Sequence, residues 1–199
     1  MSSRVANETL YSKLKQEMCE IVRNNYLEVH RESRSHEEIE STTRKVAVAA
    51  IKYGMLNQDP NKQITFSLKD WLVSEGDTGV YLIYAYVRIQ SIVRQFENFD
   101  PQAVIDFELL KHSHEKALIR KLFDFNSIVH QAAEQYRPSL LARTLFELCK
   151  DFSRCYSSCS VKHSESKELQ LARLGLFSAV AATLSTGLNL LGIEPPERM

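Results

Sequence analysis

Three residues on one short stretch could do recognition chemistry. In "EGDTGVYLIYAYVRIQSIVRQF", residues 75–96, a turn built from Gly76, Asp77, Thr78 and Gly79 leads into a helical pattern carrying Tyr81, Tyr84 and Arg88. At roughly 100° per residue these three share a face. Leu82, Tyr86, Ile89, Val93 and Phe96 fall within about 80° of one another, roughly 130° round from that cluster. The second set is the stripe a core requires. The first set is not required by that core. Tyrosine rings offer flat apolar surfaces on which bases stack, and their hydroxyls can hydrogen-bond base edges. An arginine can bond a base through two N–H groups or hold a phosphate. Periodicity equally permits a second helix packed on this face, with Arg88 in a salt bridge.

Other residue types give weaker constellations. The pair His112 and His114 lacks a third ligand. The four cysteines, Cys19, Cys149, Cys155 and Cys159, contain no CxxC pair. No zinc or other metal site is expected, and reduced thiols fit a cytoplasmic protein. Ser, Cys and His are scattered without the spacing of a nucleophile and base. No Gly-rich phosphate loop follows a strand.

The elements that must position the tyrosines are helices. An amphipathic segment covers 8 to about 30, with Leu10, Leu14, Met18, Ile21 and Val22 on one side. Ser35 and Glu38 form a capping-box pattern that opens a second helix. Gly54 is expected to close it in a left-handed conformation. "NQDPNKQ" reads as a polar loop, "ITF" as the one extended piece, and Ser67 with Asp70 as the cap of a short helix. The helix from Gly79 to Phe96 ends at "NFDP", because the residue before Pro101 disfavours helical torsions. Helical segments follow at 102–111, 114–124 and 127–136. Pro138 suits the first turn of a helix carrying Leu141, Leu145, Leu148, Phe152 and Cys155 inside. "CSVKHSESK" is a linker. A last helix spans about 166–188, closed by Gly192, Pro195 and Pro196. The fold class is all-α, a helical bundle.

The totals narrow the partners. The 199 residues are 44% hydrophobic, which fits one packed domain or a domain with an extension. Lys plus Arg equals Asp plus Glu, 25 of each. A generic polyanion binder is basic, so any nucleic-acid contact here must be local and shaped. No continuous apolar run of about eighteen residues occurs, so no membrane span is expected. The first residues lack the apolar core of a secretory signal. The charge-dense 28–45 stretch mixes both signs and reads as a solvated face.

"KVAVAAIKYGMLNQDPNKQITFSLKDWLVSEGDTGVYLIYAYVRIQSI", "LARTLFELCKDFSRCYSSC" and the ending "GLNLLGIEPPERM" resemble the region that follows the catalytic domain in arginyl-tRNA synthetases, a class I family. The resemblance covers nearly the whole chain. It implies the all-α DALR anticodon-binding fold at 76–199, with 1–75 as helices lying under the inner corner of the tRNA. It implies that Tyr81, Tyr84, Arg88 and Met199 contact the anticodon loop, with Phe152 and Tyr156 as further candidates on a neighbouring helix. Pro195 and Pro196 would stiffen the tail that carries Met199. Val80, Cys155 and Ser160 depart from the family pattern, and Cys155 weakens any stacking claim there. "MSSR" at the start resembles a stub of the family's second signature loop, with Ala6 where glycine is usual. A disordered N-terminus explains it as well.

What the family needs for catalysis is missing. Among His30, His36, His112, His114, His130 and His163 there is no H-x-G-H signature. The ATP and magnesium that the family uses belong to the catalytic domain, so this chain is expected to hold no cofactor and to charge no tRNA by itself. Three functions follow. The chain reads the anticodon arm of arginine tRNA, or completes a split arginine–tRNA ligase with a separate catalytic chain, or is an interaction scaffold that has lost RNA.

Overall fold

A computed structural model describes residues 11–27, 34–59, 61, 68–96, 99–100 and 104–199. The elements are α1 (Tyr11–Val22) with a π-helical turn (Arg23–Leu27), α2 (His36–Leu56), α3 (Leu68–Trp71), α4 (Gly79–Arg94), a 3-10 turn (Phe107–Leu109), α5 (Ser113–Glu134), α6 (Pro138–Ser158) and α7 (Lys167–Leu190). No strand occurs among the described residues. The "ITF" piece, the Ser67 cap and the "MSSR" stub lie outside them.

Local chemistry accounts for several helix starts. The Ser35 hydroxyl accepts from the Glu38 N–H at 3.2 Å, and the Glu38 carboxylate accepts from the Ser35 N–H at 3.0 Å. Each bond satisfies a donor that the helix itself leaves free. A second reciprocal cap opens α5. The His112 N–H donates to Glu115 at 2.9 Å, and the His112 ring accepts from the His114 N–H at 3.2 Å. This assigns the histidine pair a structural task. Pro138 occupies the first turn of α6.

Three sequence expectations are corrected. Gly54 does not end α2, which runs on to Leu56 with Asn57 as its cap. A Cβ on Gly54 would lie 2.5 Å from the Trp71 ring, so glycine is there for close packing. The 104–111 stretch is extended around a 3-10 turn, with the Asp106 side chain accepting from the Glu108 N–H at 2.9 Å. The segments at 114–124 and 127–136 are one helix, α5, because no Gly or Pro interrupts them. Helix α7 is long and apolar enough to cross a bilayer by length and composition, although it contains no unbroken apolar run. Here it is a core helix, burying Leu174, Phe177, Val180, Ala181, Leu184 and Leu188.

One apolar core runs from Met18 on α1 to Ile193 beyond α7. Helix α4 lies at its centre, packed against α2, α6 and α7. Leu82 and Ile89 of the expected stripe are fully buried, while Tyr86, Val93 and Phe96 are half-buried. Val80, Ile83, Ala85 and Ile92 are buried too, because neighbours cover α4 on more than one side. Its start approaches α2 so closely that a Cβ on Gly79 would lie 2.4 Å from the Ala49 carbonyl oxygen. The five α6 residues expected inside are all buried.

Candidate nucleic-acid interface

The turn before α4 fixes where the tyrosines stand. Gly76 takes φ +79°, a conformation side chains disfavour. Asp77 is pinned to α2 by the Tyr53 hydroxyl at 2.5 Å and the Asn57 amide at 2.8 Å. Thr78 caps α4, accepting from the Tyr81 N–H at 3.1 Å and donating to the Val73 carbonyl at 2.7 Å. Burial, with the bond to Asp77, pushes the Tyr53 phenol far above the usual tyrosine range, so it stays a neutral donor.

With that register set, α4 brings Tyr81 and Arg88 against α6 and leaves Tyr84 exposed. Tyr81 is half-buried. Its hydroxyl shares a 3.2 Å hydrogen bond with Ser153 on α6, and its ring meets Phe146 edge-on at 5.7 Å. Tyr84 is 46% exposed. Arg88 is exposed and makes no ion pair among the described residues. Its guanidinium carbon sits 4.4 Å above the Tyr156 ring centroid. A guanidinium seated on an aromatic face keeps its in-plane N–H groups available to a ligand.

Five of the six residues singled out in the sequence line one hollow of about 350 Å³: Tyr81, Tyr84, Arg88, Phe152 and Met199. Tyr156, the sixth, supports Arg88 from α6. Helix α6 does pack on one side of this face, against Tyr81 and Arg88, but it leaves Tyr84 exposed and gives Arg88 a ring rather than a salt bridge among the described residues. Phe152 is corrected in one respect. It is only 1% exposed, packs edge-on against Phe177 at 5.1 Å, and forms part of the floor as a core residue. Exposed ring surface in the hollow therefore comes from Tyr84 and from what remains uncovered of Tyr81.

The rest of the lining was not foreseen. Tyr26, from the turn after α1, donates its hydroxyl to the Leu72 carbonyl at 2.6 Å and borders the hollow together with Ser74, Glu75 and Ser153. No periodic signal marks Tyr26, because its partner lies 46 residues away. Ser153 sits beside Phe152 on α6 and is the hydroxyl that Tyr81 finds.

Thiol and metal chemistry are not part of this surface. Burial pushes the Cys149 and Cys155 thiols well above the usual range, so they remain protonated. No group of three His, Cys, Asp or Glu side chains converges among the described residues. The buried polar pair elsewhere is structural. Glu115, 1% exposed, accepts from Arg173 Nε at 2.7 Å and ties α5 to α7.

Comparison with known families bears on this face directly. The profile of the DALR anticodon binding domain matches residues 82–199. The chain belongs to the DALR anticodon-binding family. The match takes in α4 from Leu82 onward, α6, and the tail to Met199, hence most of the hollow. Similar proteins include the arginine–tRNA ligase of Bdellovibrio bacteriovorus, 37% identical over all of this chain and 34% of its own length. That of Streptomyces coelicolor is 36% identical over 96% of this chain and 32% of its own. Among solved structures, the arginyl-tRNA synthetase of Thermus thermophilus superposes with a TM-score of 0.83 at 32% identity, covering 94% of this chain and 32% of that one. The arginyl-tRNA synthetase of Plasmodium falciparum gives 0.80 at 27% identity, covering 96% and 34%. This DALR chain thus spans about a third of the length of its relatives, in the region the sequence motifs indicated.

Proposed function

We propose that this chain reads the anticodon arm of arginine tRNA through the hollow beside α4. The observation that supports this best is the convergence of an exposed tyrosine, an arginine seated on a ring with no ion pair among the described residues, and Met199 around one space. Such a space suits an unstacked base, held by its faces and edges. The family match supplies the nucleic acid: an anticodon loop presents bases already splayed from a helix. In this reading 76–199 is the reader, 1–75 connects it to other parts of the tRNA, and the cytoplasm is its compartment. A separate synthetase catalytic chain is a proposed partner in the same reading.

Charge balance shapes the expected behaviour. With no net charge, affinity comes from a few shaped contacts and falls less steeply with salt than for a basic protein. The test is a filter-binding panel of purified tRNAs at two stated salt concentrations. Arginine tRNA is expected to bind more tightly than the rest, with a shallow salt slope. Equal affinity across the panel, or none, overturns the reading. Mixed with ATP, arginine and tRNA, the chain alone is expected to give no charging, and sustained turnover would contradict that.

A further inference from the structure

Chain ends usually fray unless they are tied down. This one is tied at four points. Lys52 donates to the Gly192 carbonyl, and Lys45 pairs with Glu194 at 2.5 Å. Arg94 donates to the Glu197 carbonyl at 3.1 Å. Arg34 Nη2 donates to the Met199 backbone oxygen at 2.9 Å, across 165 residues. Ile193 is fully buried between the first and second ties.

The tail separates two spaces. Met199 lines the tyrosine hollow. Arg34 lines a different cleft of about 420 Å³, with Pro196 and Arg198. Arg34 therefore touches the residue that walls the hollow without bordering the hollow itself. The next residue, Ser35, is the cap of α2. Its other terminal nitrogen, Nη1, is buried without a partner among the described residues. Among the described residues this guanidinium hydrogen-bonds Met199 alone, and a charge-assisted bond is the strong kind.

We infer that Arg34 is a positioning residue for the anticodon hollow. It holds the backbone of Met199 so that the thioether side chain stands as a preset wall against a bound base. The start of α2 and the RNA-reading face are thereby mechanically joined. A wall fixed in advance spares the ordering cost that a mobile methionine would incur on binding. The functional half of this inference rests on the RNA reading proposed above. The structural half does not.

The two halves are tested separately. In protein labelled at methionine methyls, the Met199 signal is compared among wild type, Arg34→Ala and Arg34→Lys, with the buried Met18 methyl reporting the fold. Arg34→Ala is expected to move Met199 to a narrow, random-coil signal while Met18 stays put, and Arg34→Lys to restore it in part. An unmoved Met199 signal overturns the inference. If Arg34→Ala also disturbs Met18, the same comparison is made with Arg34→Gln, which keeps most of the side-chain volume.

Binding is then measured to an RNA hairpin carrying an arginine anticodon loop. Arg34→Ala is expected to weaken it on the order of tenfold, within the range for losing one base contact. The salt slope should not change, because no phosphate contact is lost. In a Met199→Ala background the same substitution should have almost no effect. A salt slope reduced by about one, or a full effect without Met199, means that Arg34 grips phosphate directly and overturns the inference. If wild type binds no hairpin, the proposed function falls, while the methyl signals still decide where Arg34 holds the tail.

Discussion

Replacing Tyr84 by alanine separates recognition from stability. The ring is 46% exposed, and no hydrogen bond or ring contact ties it to the described residues. A fully buried side chain of this kind contributes about 2 kcal/mol, so a half-covered one contributes roughly 1 kcal/mol. Alanine is the better helix former by about 0.5 kcal/mol, which offsets part of that. The net loss of stability is therefore about 0.5 kcal/mol, a shift of only 1–2 °C or so in melting temperature for a chain of this size. Losing a stacked ring costs binding about 1–3 kcal/mol. That converts to roughly 5- to 150-fold in dissociation constant. The assay is fluorescence anisotropy with a labelled arginine tRNA at fixed salt, alongside thermal melts of each variant. Tyr84→Phe keeps the ring and is expected to retain most of the affinity. A folded Tyr84→Ala protein that binds tRNA as wild type does would refute the claim that this face stacks bases.

Other perturbations probe the scaffold beneath that face. Gly79→Ala places a Cβ 2.4 Å from the Ala49 carbonyl oxygen, forcing α2 and α4 apart. Urea denaturation should show a loss of about 1–3 kcal/mol, as for other overpacked contacts. Glu115→Gln leaves the 14%-exposed Arg173 without its carboxylate and should cost about 3 kcal/mol by the same measurement, whereas replacing both partners with apolar residues should cost less. Stability should also fall in acid. The Ser35 backbone N–H, more than the nearby Arg198 and Arg34, holds the Glu38 carboxyl below the usual range, and its own backbone N–H does the same for Glu168. A depressed carboxyl contributes stability that is present above the ordinary glutamate pKa, about 4.3, and is lost as pH falls through the lower folded value. Denaturation midpoints measured from pH 6 down to pH 3 should drop in that lower window, and Glu38→Gln should flatten the drop.

Helix starts were legible wherever the signal was local. The Ser35–Glu38 box, the turn at 76–79 and Pro138 each act within a few residues, so the chain carries them openly. The reciprocal cap at His112 was missed because histidine is an unusual cap, although Glu115 three residues later carried the second half of the pattern. Gly54 misled because glycine serves two ends, and its true partner, the Trp71 ring, arrives 17 positions later on α3. Phe152 and Tyr156 lie one helical turn apart on α6 and cannot be told apart by period. Phe152 meets Phe177 and is sealed, while Tyr156 lies under Arg88.

The sequence by itself determined that the chain is helical, where several helices begin, and that α4 carries rings and a guanidinium on a face its own core stripe does not use. Those are properties of neighbours three or four residues apart, fixed by the helical repeat. Tertiary structure alone decided that Tyr26 and Ser153 border that face beside Met199, and that Arg34 holds the Met199 backbone from the neighbouring cleft. They come from separate stretches of the chain, and only the packing of α4 against α2, α6 and α7 brings them together.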